Sequence, residues 1–344
     1  MAPRKRSTTK EPDARLSLAV ALDFIKVAQH DKTGDLVTKT HCRLAGGYAV
    51  AFDGVIAVGH PIEEDLNVCP HTYRLIDALG RCKKAVAITQ LDAEKLVVKS
   101  GNFRAIIPCL NPAALPYVAP DVQAGQVDDR LKEGFALLNP IVSGTGQTVV
   151  ESSLLLQNNS MVATDRNIMF EFWHGINLPN GLALPKAAIA AVSKVPAKLV
   201  GIGVSDRTVT FYFDGGAWLR TQLYGEQWPD IQRVINGGDV YNTPAIPPAL
   251  FEAVEAVAPF SETGVGASAG GAAIYTFDGF ISSHHTEGVG ATYQIEGIPP
   301  GLCFSAKHLL ALKNIATKID FVGKNGITYF FGGNVRGALT QRRG

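Results

Sequence analysis

The side chains best suited to acid–base or metal chemistry gather in Ser282-Ser283-His284-His285-Thr286-Glu287. Two hydroxyls, two imidazoles and a carboxylate in six residues would suffice for a triad or a zinc site. On a strand, however, adjacent histidines project to opposite faces and cannot share an ion, so a structural or surface role is favoured. The glycines Gly264, Gly266, Gly270 and Gly271 lack the Lys-Ser/Thr ending of a phosphate loop and the helix that should follow, so they read as a flexible loop. Asp53, Asp165 and Asp278 each end an apolar run, and a turn aspartate that caps its own backbone accounts for them better than a catalytic carboxylate. Trp173, Trp218 and Trp228 read as core or linker-packing aromatics. Cys42, Cys69, Cys82, Cys109 and Cys303 are scattered, with no C-x-x-C pair and no matching histidine spacing, which suggests neither zinc nor a disulfide framework. They are expected to be reduced, buried thiols of a cytoplasmic protein. No catalytic residue, metal ligand set or cofactor site emerges, and the chain is not read as an enzyme.

The elements that position these residues recur three times. Tyr48 to Gly54, Met161 to Arg166 and Ala273 to Gly279 each run a strand into an Asp-led turn, the aspartates lying 112 residues (53 to 165) and 113 residues (165 to 278) apart. An amphipathic helical stretch follows each: Thr72 to Leu79, Lys186 to Val192 and Lys307 to Leu312. A hairpin closes each unit, at Ser100-Gly101-Asn102, Asp214-Gly215-Gly216 and Gly332-Gly333-Asn334. The sequence therefore predicts three copies of one α+β domain, each with two helices packed on a largely antiparallel sheet. Expected boundaries are 1–14 for a disordered basic tail around Arg4-Lys5-Arg6, then 15–120, 121–240 and 241–344, with Pro- and Gly-rich linkers at 111–120 and 236–248. Strands are expected over 148–157, 160–173, 274–283 and 290–296, and helices over 128–138, 249–257 and 305–316.

With 344 residues and 46% hydrophobic side chains, three ordinary cores can form. No apolar run approaches the roughly 20 residues of a membrane span, and no membrane association is expected. The 32 basic and 31 acidic residues balance, so any nucleic-acid function must come from where the charges lie. On the second helix of each unit, non-core positions are mainly basic: Arg74, Arg81, Lys83 and Lys84; Lys186, Lys194 and Lys198; Lys307, His308, Lys313 and Lys318. Such stripes suit phosphates without base-reading chemistry, and they equally suit plain solvation. Together with Lys26 on a first helix, Arg74, Arg81, Lys84, Lys186, Lys194, Lys198, Lys307, Lys313 and Lys318 are the candidate phosphate-facing positions. The strand from Asn102 to Ile107, with Phe103 and Ile106, reads as an edge able to extend a neighbour's sheet, and Phe260 as a plug at that contact; an edge strand in a monomer or a buried Phe260 is the competing view.

The segments Val162-Ala163-Thr164-Asp165, Ala183-Leu184-Pro185-Lys186 and Leu219 through Gly225-Glu226-Gln227-Trp228-Pro229-Asp230-Ile231 to Ile235 resemble the central domain of the bacterial DNA polymerase III β subunit, the DNA sliding clamp. Lys95 to Phe103 and Leu115-Pro116 extend the resemblance into the first unit, and it covers nearly the whole chain from Arg15. It implies a homodimeric ring of sliding-clamp domains that encircles duplex DNA without regard to sequence and tethers a polymerase and clamp loader through short peptide motifs. A pocket between units two and three is implied as the peptide grip, formed around Thr164, Arg166, Asn167, Met169, Leu339 and Thr340. There the chain departs from the family: Thr164-Asp165-Arg166-Asn167 stands where Thr-Asp-Gly-His is usual, and Leu339-Thr340-Gln341-Arg342-Arg343-Gly344 where Met-Pro-Met-Arg-Leu is usual. Such divergence suits a phage or other mobile-element replisome. A non-enzymatic β-rich repeat protein, structural or glycan-binding, and a hydrolase built on His284-His285 are the competing readings.

Overall fold

The computed structural model describes residues 6–9, 17–29, 36–261, 271–323 and 326–342. The chain divides into two compact units, Met1–Ala136 with Ala187–Gly225, and Leu137–Lys186 with Glu226–Gly344. Each is built around one seven-stranded sheet that combines strands from two sequence repeats.

In the first compact unit the large sheet runs Arg43–Ala45, Tyr48–Phe52, Ile56–Pro61, Trp218–Gln222, Thr208–Phe213, Leu199–Val204, Gly125–Gln126. Its seam is the antiparallel pairing of Ile56–Pro61 from the first repeat with Trp218–Gln222 from the second, where Leu219 lies opposite Val58. Gly59 lies opposite Trp218, and the indole occupies the space a β-carbon there would need. Helix Ser17–Ile25 buries Leu18, Ala21, Leu22 and Ile25, the stripe expected of an amphipathic helix on a sheet. Helix Arg130–Leu138 brings Phe135 edge-on to Phe211 at 5.6 Å. A second sheet of this unit runs Arg6–Thr9, Ala87–Asp92, Lys95–Ser100, Phe103–Leu110, Cys69–Pro70.

In the second compact unit the large sheet runs Leu182–Pro185, Ser153–Leu156, Ser160–Thr164, Ile168–Trp173, Val335–Thr340, Ile327–Gly332, Lys318–Asp320. The seam recurs: Ile168–Trp173 of the second repeat takes Val335–Thr340 of the third, with Phe170 opposite Gly337. A β-carbon at Gly337 would meet the Met169 carbonyl and the Phe330 ring. A buried Glu171 accepts from Arg336 Nε at 2.6 Å across this seam, and the guanidinium stacks over Trp173. A four-stranded sheet runs Thr292–Gln294, Phe280–Ser282, Ala273–Phe277, Cys303–Ser305, covered by helices Leu250–Val257 and Ala306–Leu310.

The three closing hairpins form as expected, with Gly101, Gly215, Gly216 and Gly333 at positive φ. Several expectations need correction. Arg6–Thr9, expected in a disordered tail, is an edge strand on Ala87–Gln90; a run of hydroxyl-bearing and β-branched residues is well suited to such pairing. The rest of that tail, like Gly264, Gly266 and Gly270, lies outside the described residues. The strand expected over 148–157 begins only at Ser153, because Thr148 and Glu151 close a capping box on the helical turn Val149–Ser152. The helix expected over 305–316 is regular only at Ala306–Leu310 and continues as turns.

The third aspartate is also not equivalent to the other two. Asp165 joins the second and third strands of its sheet, whereas Asp278 joins Ala273–Phe277 to Phe280–Ser282, the first and second, as shown by the pairing of Ala273–Phe277 with Cys303–Ser305. Strand Thr292–Gln294 therefore holds the position in the third repeat that the seam-forming strands hold in the other two. The sequence rhyme came from two unrelated Asp-led turns, Asp165-Arg166 and Asp278-Gly279, separated by nearly the repeat length.

Candidate functional site

Side chains alternate across a strand, so register decides which residues share the site. Leu155 lies opposite Val162, Thr164 opposite Met169, and Met169 opposite Ala338, all on one face of the seam sheet in the second compact unit. The segment after the last strand of repeat two crosses this face. Ile231 packs into a cluster with Leu155 and Val162, with Met169 and Trp228 partly exposed beside it. Val234 continues the cover over Tyr329, Phe331 and Ala338. The Trp228 indole N–H donates to Ser153 Oγ at 3.0 Å, which fixes the ring over the apolar shelf.

The turn at the shelf's end is tightly held. Thr164 is buried, its hydroxyl donating to the Ile168 carbonyl at 2.7 Å. Asp165 Oδ1 accepts from the backbone N–H groups of Asn167 and Ile168 at 3.1 and 3.0 Å. Its Oδ2 meets His308 Nε2 at 2.8 Å, with Lys307 Nζ at 3.8 Å. Burial opposes the Asp165 charge, but the His308 contact and the two backbone donors outweigh it and hold the carboxyl below its usual range. Asp53 caps its own turn in the same way, through Val55 and Ile56. Arg166 has φ 73°, a left-handed conformation that a β-carbon disfavours. Its guanidinium reaches Glu151 at 3.1 Å.

Of the expected pocket residues, Met169, Arg166 and the exposed Asn167 and Thr340 belong to this face or its rim, and the Asn167 carbonyl accepts from the Thr340 N–H at 2.8 Å. Leu339 does not: it lies opposite Ile168 and points, wholly buried, to the other face. His308, read as a solvent-side basic position, is buried against Asp165. With the partners 143 positions apart in sequence, no local pattern announces that contact. The cluster of Leu155, Val162 and Ile231, buried beside the partly exposed Met169 and Trp228, was missed as a group, although the Gly225 to Ile235 block carried the signal.

The basic positions differ in their freedom. Lys26, Arg74, Arg81, Lys84, Lys194 and Lys198 are exposed. Lys26 is paired with Asp23, and Lys313 with Glu255. Lys186 is half-buried and donates to the Val142 carbonyl, and Lys318 lies on a strand and donates to the Val240 carbonyl at 2.9 Å. Ile106 is 52% exposed and Phe260 66% exposed, so the view of Phe260 as buried is set aside; Phe103 is half-buried.

The chemical candidates recede. His284 and His285 sit in the loop after Phe280–Ser282, not on a strand, and their rings stack at 4.3 Å. Among the described residues no group of three His, Cys, Asp or Glu side chains is placed to hold a metal. Cys42, Cys69, Cys109 and Cys303 are buried free thiols, and burial pushes Cys42 and Cys109 up to about 12. No helix among the described residues is long and apolar enough to cross a membrane.

The sheets, seams and repeated hairpins define the sliding-clamp fold, in three repeated domains. No protein-family model and no curated protein sequence matches the chain. Solved structures do. The DNA polymerase sliding clamp of Pseudomonas aeruginosa aligns with a TM-score of 0.78 at 15% identity over 98% of this chain and 99% of that one. The β subunit of Streptococcus pyogenes DNA polymerase gives 0.78 at 16% over 98% and 100%, and the Caulobacter crescentus pol III β gives 0.77 at 18% over 98% and 100%. At such identities the likeness is one of fold.

Proposed function

We propose that this chain is a DNA sliding clamp, a processivity factor that closes as a homodimeric ring around duplex DNA and tethers a polymerase. The observation that carries the reading is the repeated seam: the third strand of one repeat's first sheet receives the last strand of the next repeat, twice. Continued once more, the rule joins Phe103–Leu110 of one copy to Thr292–Gln294 of another, with Ile106 and Phe260 near the joint. Two such joints close a two-fold ring, whereas a non-closing contact would give filaments. Repeats of 15–120, 121–240 and 241–344 are the modules, and Arg74, Arg81, Lys84, Lys194 and Lys198 are the positions offered to phosphate. Lys26, Lys186, Lys307, Lys313 and Lys318 contribute less, being engaged by carbonyls or carboxylates.

The apolar shelf beside Met169 and Trp228 is the grip for short peptides of the polymerase and loader. Support comes from likeness: one Pseudomonas aeruginosa clamp is described bound to griselimycin, and a Caulobacter crescentus clamp with PEG at a putative β-motif tethering region. The ring performs no bond-making of its own and acts in the cytoplasm, at the replication fork. No observation favours a structural or glycan-binding repeat protein instead.

The test is topological. After loading, the protein should stay on nicked circular DNA and run off the same DNA once linearised, while its equilibrium affinity for free duplex is weak and falls steeply with salt. Equal retention on both forms would refute the ring. Changing Arg81, Lys84, Lys194 and Lys198 to Glu should abolish polymerase stimulation with the thermal melting curve unchanged.

A further inference from the structure

The two sheets of the first compact unit meet along a short stitch. The Cys42 N–H donates to the Pro70 carbonyl at 3.2 Å, and Leu44 and Val68 exchange backbone hydrogen bonds at 2.9 and 3.0 Å. At its end His41 bridges His71, with the two imidazole centroids 5.1 Å apart. Cys69–Pro70 then pairs with Leu110 and Cys109, which ties the far end of Phe103–Leu110 to the large sheet. The surroundings disfavour a proton on either ring. His71 is buried, and its Nδ1 has no hydrogen-bond partner among the described residues. An imidazolium presents N–H on both nitrogens, so charging His71 would bury an unsatisfied donor. Its carbonyl accepts from Leu75 at 3.1 Å at the start of helix Thr72–Gly80, and the amino end of a helix repels a cation. Arg74 on that helix acts against both charged rings and His71 against a charged His41, while Asp77 is the acid that favours a charged His71. His41 Nδ1 lies 2.9 Å from Thr40 Oγ1. Burial first, then the facing His71 for His41 and Arg74 for His71, holds both histidines below their ordinary 6.5. Cys42 and Cys69 on the same stitch are pushed up to about 12 and about 11 and stay uncharged.

We infer that His41 and His71 form a proton-sensitive latch: neutral, they let the stitch close, and charged, they force it open, fray the start of helix Thr72–Gly80 and release the end of Phe103–Leu110 from the large sheet. Because the rest of that strand is the edge offered to a second copy, the joint between copies loosens in mild acid. This consequence rests on the reading of the joint given above, whereas the latch itself does not. The unfolded chain takes up protons before the folded pair does as pH falls. The stability supplied by the neutral pair is therefore complete above 6.5 and is lost as pH falls through 6.5 toward the lower folded values.

The test is hydrogen–deuterium exchange of the full-length protein, read by mass spectrometry at about pH 7.5 and about pH 5 and corrected for intrinsic exchange. The wild type should lose protection in acid over 41–44, 68–75 and 109–110, while the seam of Ile168–Trp173 with Val335–Thr340 keeps it. His41→Gln combined with His71→Gln removes both titrating rings and should keep its protection at both pH values. Should the double variant not fold, the half-buried His41 is replaced alone, and His41→Gln should cut the acid loss because one of the two charges is gone. Equal protection at both pH values in the wild type, or a loss undiminished in the variant, overturns the latch. Light scattering under the same conditions separates the joint from the latch. A wild-type dimer that persists in acid after the stitch has opened overturns the coupling to association and leaves the latch standing. A monomer at neutral pH overturns the ring reading without touching the latch.

Discussion

Asp165 shows how one side chain can do two jobs that a sequence reveals unequally. Its local role, capping the backbone at Asn167 and Ile168, follows from residue type and turn position, and was legible. Its second role, the contact with His308, depends on folding that brings distant helices and turns together, and no spacing rule reports it. Asp165→Asn should destabilise the protein by about 1–3 kcal/mol at pH 7, the usual cost of leaving a buried polar partner unsatisfied. The carboxyl is held below its ordinary 3.8, so this stabilisation is complete above that value and lost as pH falls through the lower folded one. Melting temperatures of wild type and variant should thus differ at neutral pH, begin to approach one another as pH falls below 3.8, and converge only once it is below the lower folded value. Trp228 illustrates the opposite case: an aromatic taken for packing alone sits partly exposed on the shelf where recognition is proposed.

At the level of elements, hairpins and helix faces were largely readable, because glycine at positive φ and apolar spacing are local properties. Strand identity in the third repeat was not, since its Asp-led turn falls one hairpin earlier than Asp53 and Asp165 do in theirs and only pairing partners reveal the shift. The seams were invisible for the same reason, yet each leaves a trace in a glycine. A β-carbon at Gly59 would lie 2.3 Å from the Trp218 ring, and one at Gly337 2.1 Å from the Met169 carbonyl oxygen. Gly59→Ala and Gly337→Ala should each lower stability by roughly 1–3 kcal/mol, the ordinary range for overpacking. Gly337 should suffer more, because its obstacle includes backbone that cannot rotate aside. Urea titrations of both variants against Gly333→Ala, whose β-carbon meets open space, separate seam packing from simple backbone strain.

For the whole molecule, the formal charge of +1 conceals any division of labour, and the fold likeness over 98% of the chain at 15 to 18% identity shows how little of a clamp's architecture is written in shared residues. Association is the property to measure at this scale. Ile106→Asp with Phe260→Asp should convert a dimer into monomers by light scattering, with melting behaviour retained, as both side chains are exposed in the single chain. A dimer that survives both changes would remove Phe103–Leu110 and Phe260 from the contact.

Because each large sheet is shared between successive repeats, the borders of repetition are not borders of cooperative folding. A fragment trimmed at the proline-rich connector after repeat one would carry three strands of a seven-stranded sheet and bare the edge that Trp218–Gln222 normally covers. Such pieces should be recovered as aggregates, and a protease that nicks the connector should leave the two products bound to each other under native conditions. Exchange of a single repeat between relatives would meet the same obstacle, since the first and second repeats each pair with a strand of the next.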